Sequence, residues 1–208
     1  MNSRHRKYVF VVIVLSSPVI WTLISHFPEL VYEWVNAFNN LSDKLNFLFS
    51  SSSVAPIHSM RLAQTYTSGP VFILSKFFYN RVLLYVGEFF TFQSLFSPRI
   101  YFLAGDGTPF SPNIVEPVSV LMFPFWVYGL FTSIKDKRYR VLGSYVLSVF
   151  IVYLVGRRQF SFLLLVLIFQ LYFVYKGVMM SISLKSARLY LGLSVVYGLF
   201  ILGRLIFL

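Results

Sequence analysis

The chain has 208 residues, of which 57% are hydrophobic, 20% aromatic and only 12% charged. A soluble domain carries about 25% charged residues, so this composition excludes a water-soluble globule of this size. The formal charge of +11 comes from short basic segments between long apolar runs, which is typical of a membrane protein and argues against nucleic-acid binding.

The first apolar run covers residues 8–25 and follows a basic N-terminal flank. A secretory signal peptide has a similar layout, but no small-residue cleavage site closes this run. We therefore predict that residues 1–25 form an uncleaved N-terminal membrane anchor helix, with the signal peptide as the alternative. Pro18 is expected to kink this helix, which membrane helices tolerate.

Residues 26–116 contain no clean spanning run and are predicted to form an extracytoplasmic loop with an interfacial helix. Residues 36–53 are polar and rich in serine, which predicts a flexible loop. Residues 70–96 are aromatic and aliphatic but are interrupted by charges at Lys76, Arg81 and Glu88. Since such charges are costly at the bilayer centre, a helix lying in the membrane interface is favoured. A tilted or re-entrant segment is the alternative.

Residues 117–208 are predicted to form a four-helix transmembrane region. The apolar runs cover residues 117–134, 141–156, 159–175 and 189–203. With the N-terminal anchor, the sequence predicts an all-α polytopic membrane protein. It would have about five transmembrane helices and an extracytoplasmic interfacial helical segment.

Charge placement predicts the orientation of the chain. With a cytoplasmic N-terminus, the short inside segments hold ten of the 18 Lys and Arg residues, and six of the seven acids fall outside. We therefore expect a multi-pass protein of the plasma (inner) membrane. Its N-terminus would be cytoplasmic and its C-terminus extracytoplasmic.

Arg157 and Arg158 are the foremost candidates for ligand binding. They form a very short turn between two predicted spans, on the side opposite the main basic clusters. Two guanidiniums there are suited to binding the phosphate of an anionic headgroup, such as that of a lipid carrier, in bidentate fashion. The competing interpretation is that both side chains simply extend to lipid phosphates as anchors.

Three acidic residues are further candidates. Glu29 and Glu33 have the i, i+4 spacing that shares one helix face, and a carboxylate just outside the first span is a candidate general base. An ordinary surface helix also carries such a pair. Asp106, in the Gly-Asp-Gly-Thr-Pro tight turn of residues 105–109, would bind a sugar hydroxyl or a metal, or cap its own turn.

The sequence identifies no cofactor and predicts no metal site. The chain has no cysteine, which excludes disulfides, thiolate ligands and cysteine nucleophiles. The three histidines are far apart and lack the spacing of metal ligands; they are His5, His26 and His58.

Residues 88–131 carry a recurrent aromatic pattern. Residues 88–99 read EFFTFQSLFSPR, residues 101–107 read YFLAGDG, and residues 123–130 read FPFWVYGL after Glu116 and Pro117. The pattern resembles bacterial and archaeal polytopic glycosyltransferases of the C-type superfamily. These are similar to the mannosyltransferases and arabinosyltransferases that depend on dolichyl- or undecaprenyl-phosphate sugars.

The resemblance covers residues 60–175 and implies that the Arg157 and Arg158 hairpin faces a catalytic cavity. It also implies a polyprenyl-phosphate sugar as ligand. The family has more spanning helices than predicted here, and Glu29 and Glu33 match its adjacent acidic pair poorly. The chain thus resembles the C-terminal part of such an enzyme without the catalytic acidic pair, which would be either inactive alone or active only with a partner membrane subunit.

Two other functions remain open. One is a non-enzymatic membrane scaffold or a subunit of a larger complex, in which the polar loop and the interfacial helix contact other proteins. The other is a transporter, which is less favoured because the chain has no internal repeats and few charges inside its predicted spans. In each case the lipid bilayer is a partner and nucleic acid is not.

Overall fold

The computed structural model describes residues 3–64, 80–103, 105–112, 115–155 and 160–206. Within these ranges the chain forms α-helices and two 3₁₀ turns, Ser52–Val54 and Val120–Met122, without a β-strand. The all-α prediction is therefore confirmed for the described residues. The helices are α1 (Ser3–Leu15), α2 (Pro18–Ser25), α3 (Phe27–Val35), α4 (Ala37–Phe49), α5 (Ala55–Gln64), α6 (Arg81–Ser94), α7 (Arg99–Phe102), α8 (Phe123–Lys135), α9 (Tyr139–Val155), α10 (Phe160–Ser181) and α11 (Lys185–Ile206).

Two of the described helices are long and apolar enough to cross a membrane. They comprise Ser161–Ser181 of α10 and Lys185–Arg204 of α11. The bent pair α1 and α2 adds a third if it counts as one span. Helices α8 and α9 are apolar, but each is shorter than the roughly 20 residues that span a hydrocarbon core. Length and composition thus support two or up to three of the five predicted spans.

Helices α8 and α10 pack with their backbones in direct contact. A Cβ atom built on Gly129 would lie 1.8 Å from the carbonyl oxygen of Phe173, and one built on Gly177 would lie 1.8 Å from that of Phe125. Small residues permit such close approach, which is the usual basis of helix packing in membranes. The contact fixes α8 along the buried face of α10.

A buried amide joins the three central helices. Gln170 of α10 is fully buried, and its Oε1 accepts a hydrogen bond from the Trp126 indole of α8. Its Nε2 lies 3.2 Å from the hydroxyl of Tyr145 on α9. Since buried polar groups are costly unless paired, this network fixes the relative rotation of α8, α9 and α10.

The first helix bends by 68° between α1 and α2, as Pro18 predicts. Ser16 and Ser17 hydroxyls both donate to the carbonyl oxygen of Ile13, at 3.1 and 2.8 Å. At the bend, the Val19 amide donates to the carbonyl of Pro117 at 3.0 Å. The loop before α8 therefore packs into the bend and completes its backbone hydrogen bonds.

The prediction of a flexible loop at residues 36–53 is wrong. The segment forms α4, which packs against α9 and carries the half-buried Leu41, Lys44 and Leu48 on one face. Asn and Ser residues on the other faces concealed this i, i+3, i+7 pattern. Of the predicted interfacial segment, residues 80–96 are described and contain α6, whereas residues 70–79 lie outside the described residues.

Side-chain contacts show that the segments connecting the helices lie at two opposite ends of the bundle. At the basic end, named for residues 135–140, Phe10 of α1 packs against Tyr175 of α10 with ring centroids 5.6 Å apart. Asp136 also pairs there with Lys176. At the opposite end, named the loop end, the Trp34 indole of α3 donates to the Ser161 carbonyl at the start of α10, at 3.3 Å.

Candidate functional site

The loop end brings α3 against the first turn of α10. The Trp34 ring lies 5.2 Å from the Phe162 ring, in addition to the hydrogen bond from its indole to Ser161. Phe162 and Ser161 are almost completely buried. Trp34 therefore fixes α3 against the start of α10, and the adjacent Glu33 is half-buried.

Glu29 and Glu33 both lie on α3, which confirms the predicted helix for this pair. Their environments differ, because Glu29 is exposed and Glu33 is half-buried. Oε2 of Glu33 is buried, and no described residue donates a hydrogen bond to it; the same holds for the buried hydroxyl of Ser161. A buried acceptor without a donor is costly, so Glu33 has unused hydrogen-bonding capacity at the loop end.

A carboxylate oxygen that lacks a donor is available as a hydrogen-bond acceptor. Ionised Glu33 would accept a hydrogen bond from a ligand hydroxyl, or take its proton if the geometry brings the two within reach. Ser161 adds a hydroxyl that either donates or accepts. Glu33 is the group of these two that suits a ligand hydroxyl, because Ser161 is fully buried.

A second polar cluster lies at the loop end, and no local sequence pattern indicated it. Glu88 of α6 accepts hydrogen bonds from Lys44 of α4 and, at 2.7 Å, from the Tyr153 hydroxyl of α9. The Lys44 ammonium also lies 4.6 Å from the centre of the Tyr153 ring, within the range of a cation–π contact. The charges of Lys44 and Glu88 compensate each other, and the hydrogen bonds of Glu88 link α4, α6 and α9.

The predicted phosphate ligands Arg157 and Arg158 lie outside the described residues. The nearest described residues in sequence are Val155, which ends α9, and Phe160, which begins α10. The proposed binding role of the two arginines stays a prediction.

Asp106 forms the tight turn predicted for residues 105–109. Its Oδ1 accepts from the Thr108 amide at 3.0 Å and from the Thr108 hydroxyl at 2.6 Å. Gly107 has φ of 81°, a left-handed conformation that favours glycine. The side chain therefore caps its own turn, while a sugar or metal role for Asp106 is untested. Among the described residues, no group of three His, Asp or Glu side chains is placed to hold a metal ion.

Glu116 is a second acid whose role was not apparent from sequence. Its Oε2 accepts from the Val120 amide at 2.8 Å, and its Oε1 accepts from the Tyr197 hydroxyl at 3.1 Å. The carboxylate thus caps the 3₁₀ turn that leads into α8, where negative charge is favourable. It also links the turn to α11.

These features define a helical protein with at least two helices able to cross a membrane and an unpartnered carboxylate oxygen at one end of the bundle. Comparisons with known protein families, with curated protein sequences and with solved structures find no match to this chain. The resemblance to C-type glycosyltransferases therefore rests on the motif residues alone.

Proposed function

We propose that the chain is a membrane-embedded glycosyltransferase-like module that binds a polyprenyl-phosphate sugar at the loop end. The supporting observation is the buried Oε2 of Glu33, which lacks a donor among the described residues. Trp34, the neighbour of Glu33 in sequence, contacts the start of α10, and Arg157 and Arg158 precede that helix in sequence. Guanidiniums for a phosphate and a carboxylate for a sugar hydroxyl match the two halves of such a ligand.

The proposal places the chain in the plasma (inner) membrane with five spans and a cytoplasmic basic end. Two observations support it: the described contacts gather basic connections at one end of the bundle, and Trp34 and Glu88 lie at the other. Positive charge on the cytoplasmic side follows the positive-inside rule. The loop end and the C-terminus are then extracytoplasmic, where a flipped lipid-linked sugar is presented.

In this scheme the module binds and orients the donor, and a partner membrane subunit supplies the catalytic acidic pair. Arg157 and Arg158 hold the phosphate through forked hydrogen bonds, which lysine does not reproduce. Glu33 accepts from a sugar hydroxyl and so fixes the direction of the sugar. Activity then requires both subunits.

The test is binding of undecaprenyl phosphate to the purified protein. The double variant Arg157→Lys, Arg158→Lys should lose about tenfold to a hundredfold in affinity, as expected for hydrogen bonds to a charged group. Unchanged affinity in this variant would show that the pair is only a membrane anchor and would refute the phosphate site.

The carboxylate is tested separately with undecaprenyl-phosphate mannose. Glu33→Gln should weaken binding of this sugar-bearing lipid and leave binding of undecaprenyl phosphate unchanged. Glu29→Gln is the matched control, because Glu29 lies on the same helix but is exposed. Equal effects of the two variants would remove Glu33 from the site.

A non-enzymatic scaffold is the second candidate, and exposed apolar side chains on α3 and α4 favour it. Phe38 is 81% exposed, Tyr32 72% and Val35 71%. In this function these residues contact a partner membrane protein. Substituting all three with serine should then abolish co-purification of the partner, while lipid-phosphate binding persists.

A further inference from the structure

A cavity of about 350 Å³ lies at the basic end of the bundle, between the end of α8 and the last turns of α10. Two cations and one acid form its polar wall. Aromatic rings and thioethers form the rest of its lining. The residues used below are Asp136, Arg138, Tyr172, Tyr175, Lys176 and Met180.

The charges in this cavity do not cancel. Lys176 is only 8% exposed, and its ammonium donates to Asp136 Oδ2 at 2.9 Å. The hydrogen bond from Lys176 holds the pKa of the Asp136 carboxyl below its usual value, so the pair stays ionised and is neutral as a whole. Arg138 forms no ion pair or side-chain hydrogen bond with a described residue. The lining therefore holds two cations and one carboxylate, which leaves the cavity with a net positive charge.

The backbone places Arg138 at this wall by an unusual turn. After α8, Lys137 adopts φ of 52°, a left-handed conformation that is uncommon for a residue other than glycine. The Arg138 amide then donates back to the Ser133 carbonyl at 3.1 Å, which closes the helix. Such outliers persist where the surrounding structure holds them in place, and here the turn places Arg138 in the lining of the same cavity as Lys176.

The apolar part of the cavity continues onto the exposed side of α10 at Met180. Met180 is 52% exposed, and Tyr172 and Tyr175 are half-buried on the same helix. Tyrosine rings with a polar tip are favoured at the level of lipid headgroups. A ligand that fills the cavity can therefore have a charged group at Arg138 and apolar chains along α10.

We propose that this cavity binds the phosphodiester headgroup of an anionic phospholipid from the surrounding bilayer. One free guanidinium matches the single negative charge of a phosphodiester and forks onto its oxygens. The tyrosine hydroxyls are further donors, and basic pockets between membrane helices recognise such headgroups. The site lies at the opposite end of the bundle from Glu33 and does not depend on the proposed function.

Native mass spectrometry of the purified protein in detergent measures this binding. Phosphatidylglycerol and phosphatidylcholine with identical acyl chains are compared. We expect about a tenfold preference for phosphatidylglycerol, which Arg138→Gln should abolish. The control is Lys185→Gln, which removes one exposed cation from the same end without lining the cavity. It should keep the preference.

Each outcome decides the proposal. No preference in the parent, or an equal loss in Lys185→Gln, shows nonspecific attraction of charge and overturns it. Competition by equimolar inorganic phosphate would show a free-phosphate site and would also overturn it. Should Arg138→Gln not fold, Arg138→Lys replaces it, because loss of the guanidinium fork alone should reduce the preference severalfold.

Discussion

Replacing Gly129 with alanine tests the backbone contact between α8 and α10. The new Cβ would lie 1.8 Å from the Phe173 carbonyl oxygen, whereas ordinary van der Waals contact begins near 3.4 Å. The helices would have to separate by about 1.6 Å, the difference between these distances. Neither partner is a flexible side-chain end, so the strain spreads along the interface.

Two opposing effects set the change in the free energy of unfolding caused by Gly129→Ala. Overpacking costs about 1–3 kcal/mol, and a clash with backbone belongs at the upper end of that range. Alanine in place of glycine stabilises the helix itself by about 1 kcal/mol through its higher helix propensity. The clash dominates, and we expect Gly129→Ala to lower the free energy of unfolding by about 2 kcal/mol.

Reversible unfolding in mixed detergent and SDS micelles measures this change through tryptophan fluorescence, since Trp126 is buried on α8. Gly143→Ala is the control, because a Cβ on Gly143 of α9 meets nothing within 4 Å. That variant should be neutral or slightly more stable. If Gly129→Ala unfolds at the same SDS fraction as the parent, the close packing of α8 on α10 is refuted.

Two further predictions concern pH and orientation. Lys176 lowers the pKa of Asp136 in the folded state, so their pair stabilises the fold above the ordinary carboxyl pKa of 3.8 and loses this effect as the pH falls through the lowered value. The melting temperature should fall in that acidic range for the parent and less steeply for Asp136→Asn. For orientation, a cysteine at exposed Ser52 should react with an impermeant thiol reagent from outside, and one at exposed Tyr139 should not. Ser133 is unsuitable for this test because it is fully buried; labelling of Tyr139→Cys alone would reverse the proposed topology.

Long apolar runs predict the existence of the C-terminal helices well, but not their bounds. The run predicted at residues 159–175 becomes α10, which continues to Ser181 because Lys176 finds a partner in Asp136. Helix α8 begins at Phe123, although the predicted run begins at residue 117. The Pro117 carbonyl accepts from the Val19 amide and the Val118 amide donates to the Tyr101 carbonyl, so neither group is available to a helix. Such bounds depend on non-local contacts, which sequence periodicity does not contain.

The same limit applies to the candidate site. The i, i+4 spacing correctly places Glu29 and Glu33 on one helix, yet it does not reveal which one is drawn inward. That choice follows from Trp34 contacting Ser161, which is 127 residues later. Lys44 and Glu88 likewise pair across helices that no local pattern connects.

The bend in the first helix has a consequence for the biogenesis of the protein. The Val19 amide finds its acceptor at Pro117, and the Ser16 carbonyl oxygen is covered by Gly198, where a Cβ would lie only 2.5 Å away. Both partners leave the ribosome long after residues 8–25 have been made. Under the proposed topology, the N-terminal helix therefore enters the lipid before the groups that hold its bend exist. We expect Pro18 to kink this helix from the start and the full 68° bend to be fixed only when α11 arrives, so that the earliest segment to be made is among the last to reach its final shape.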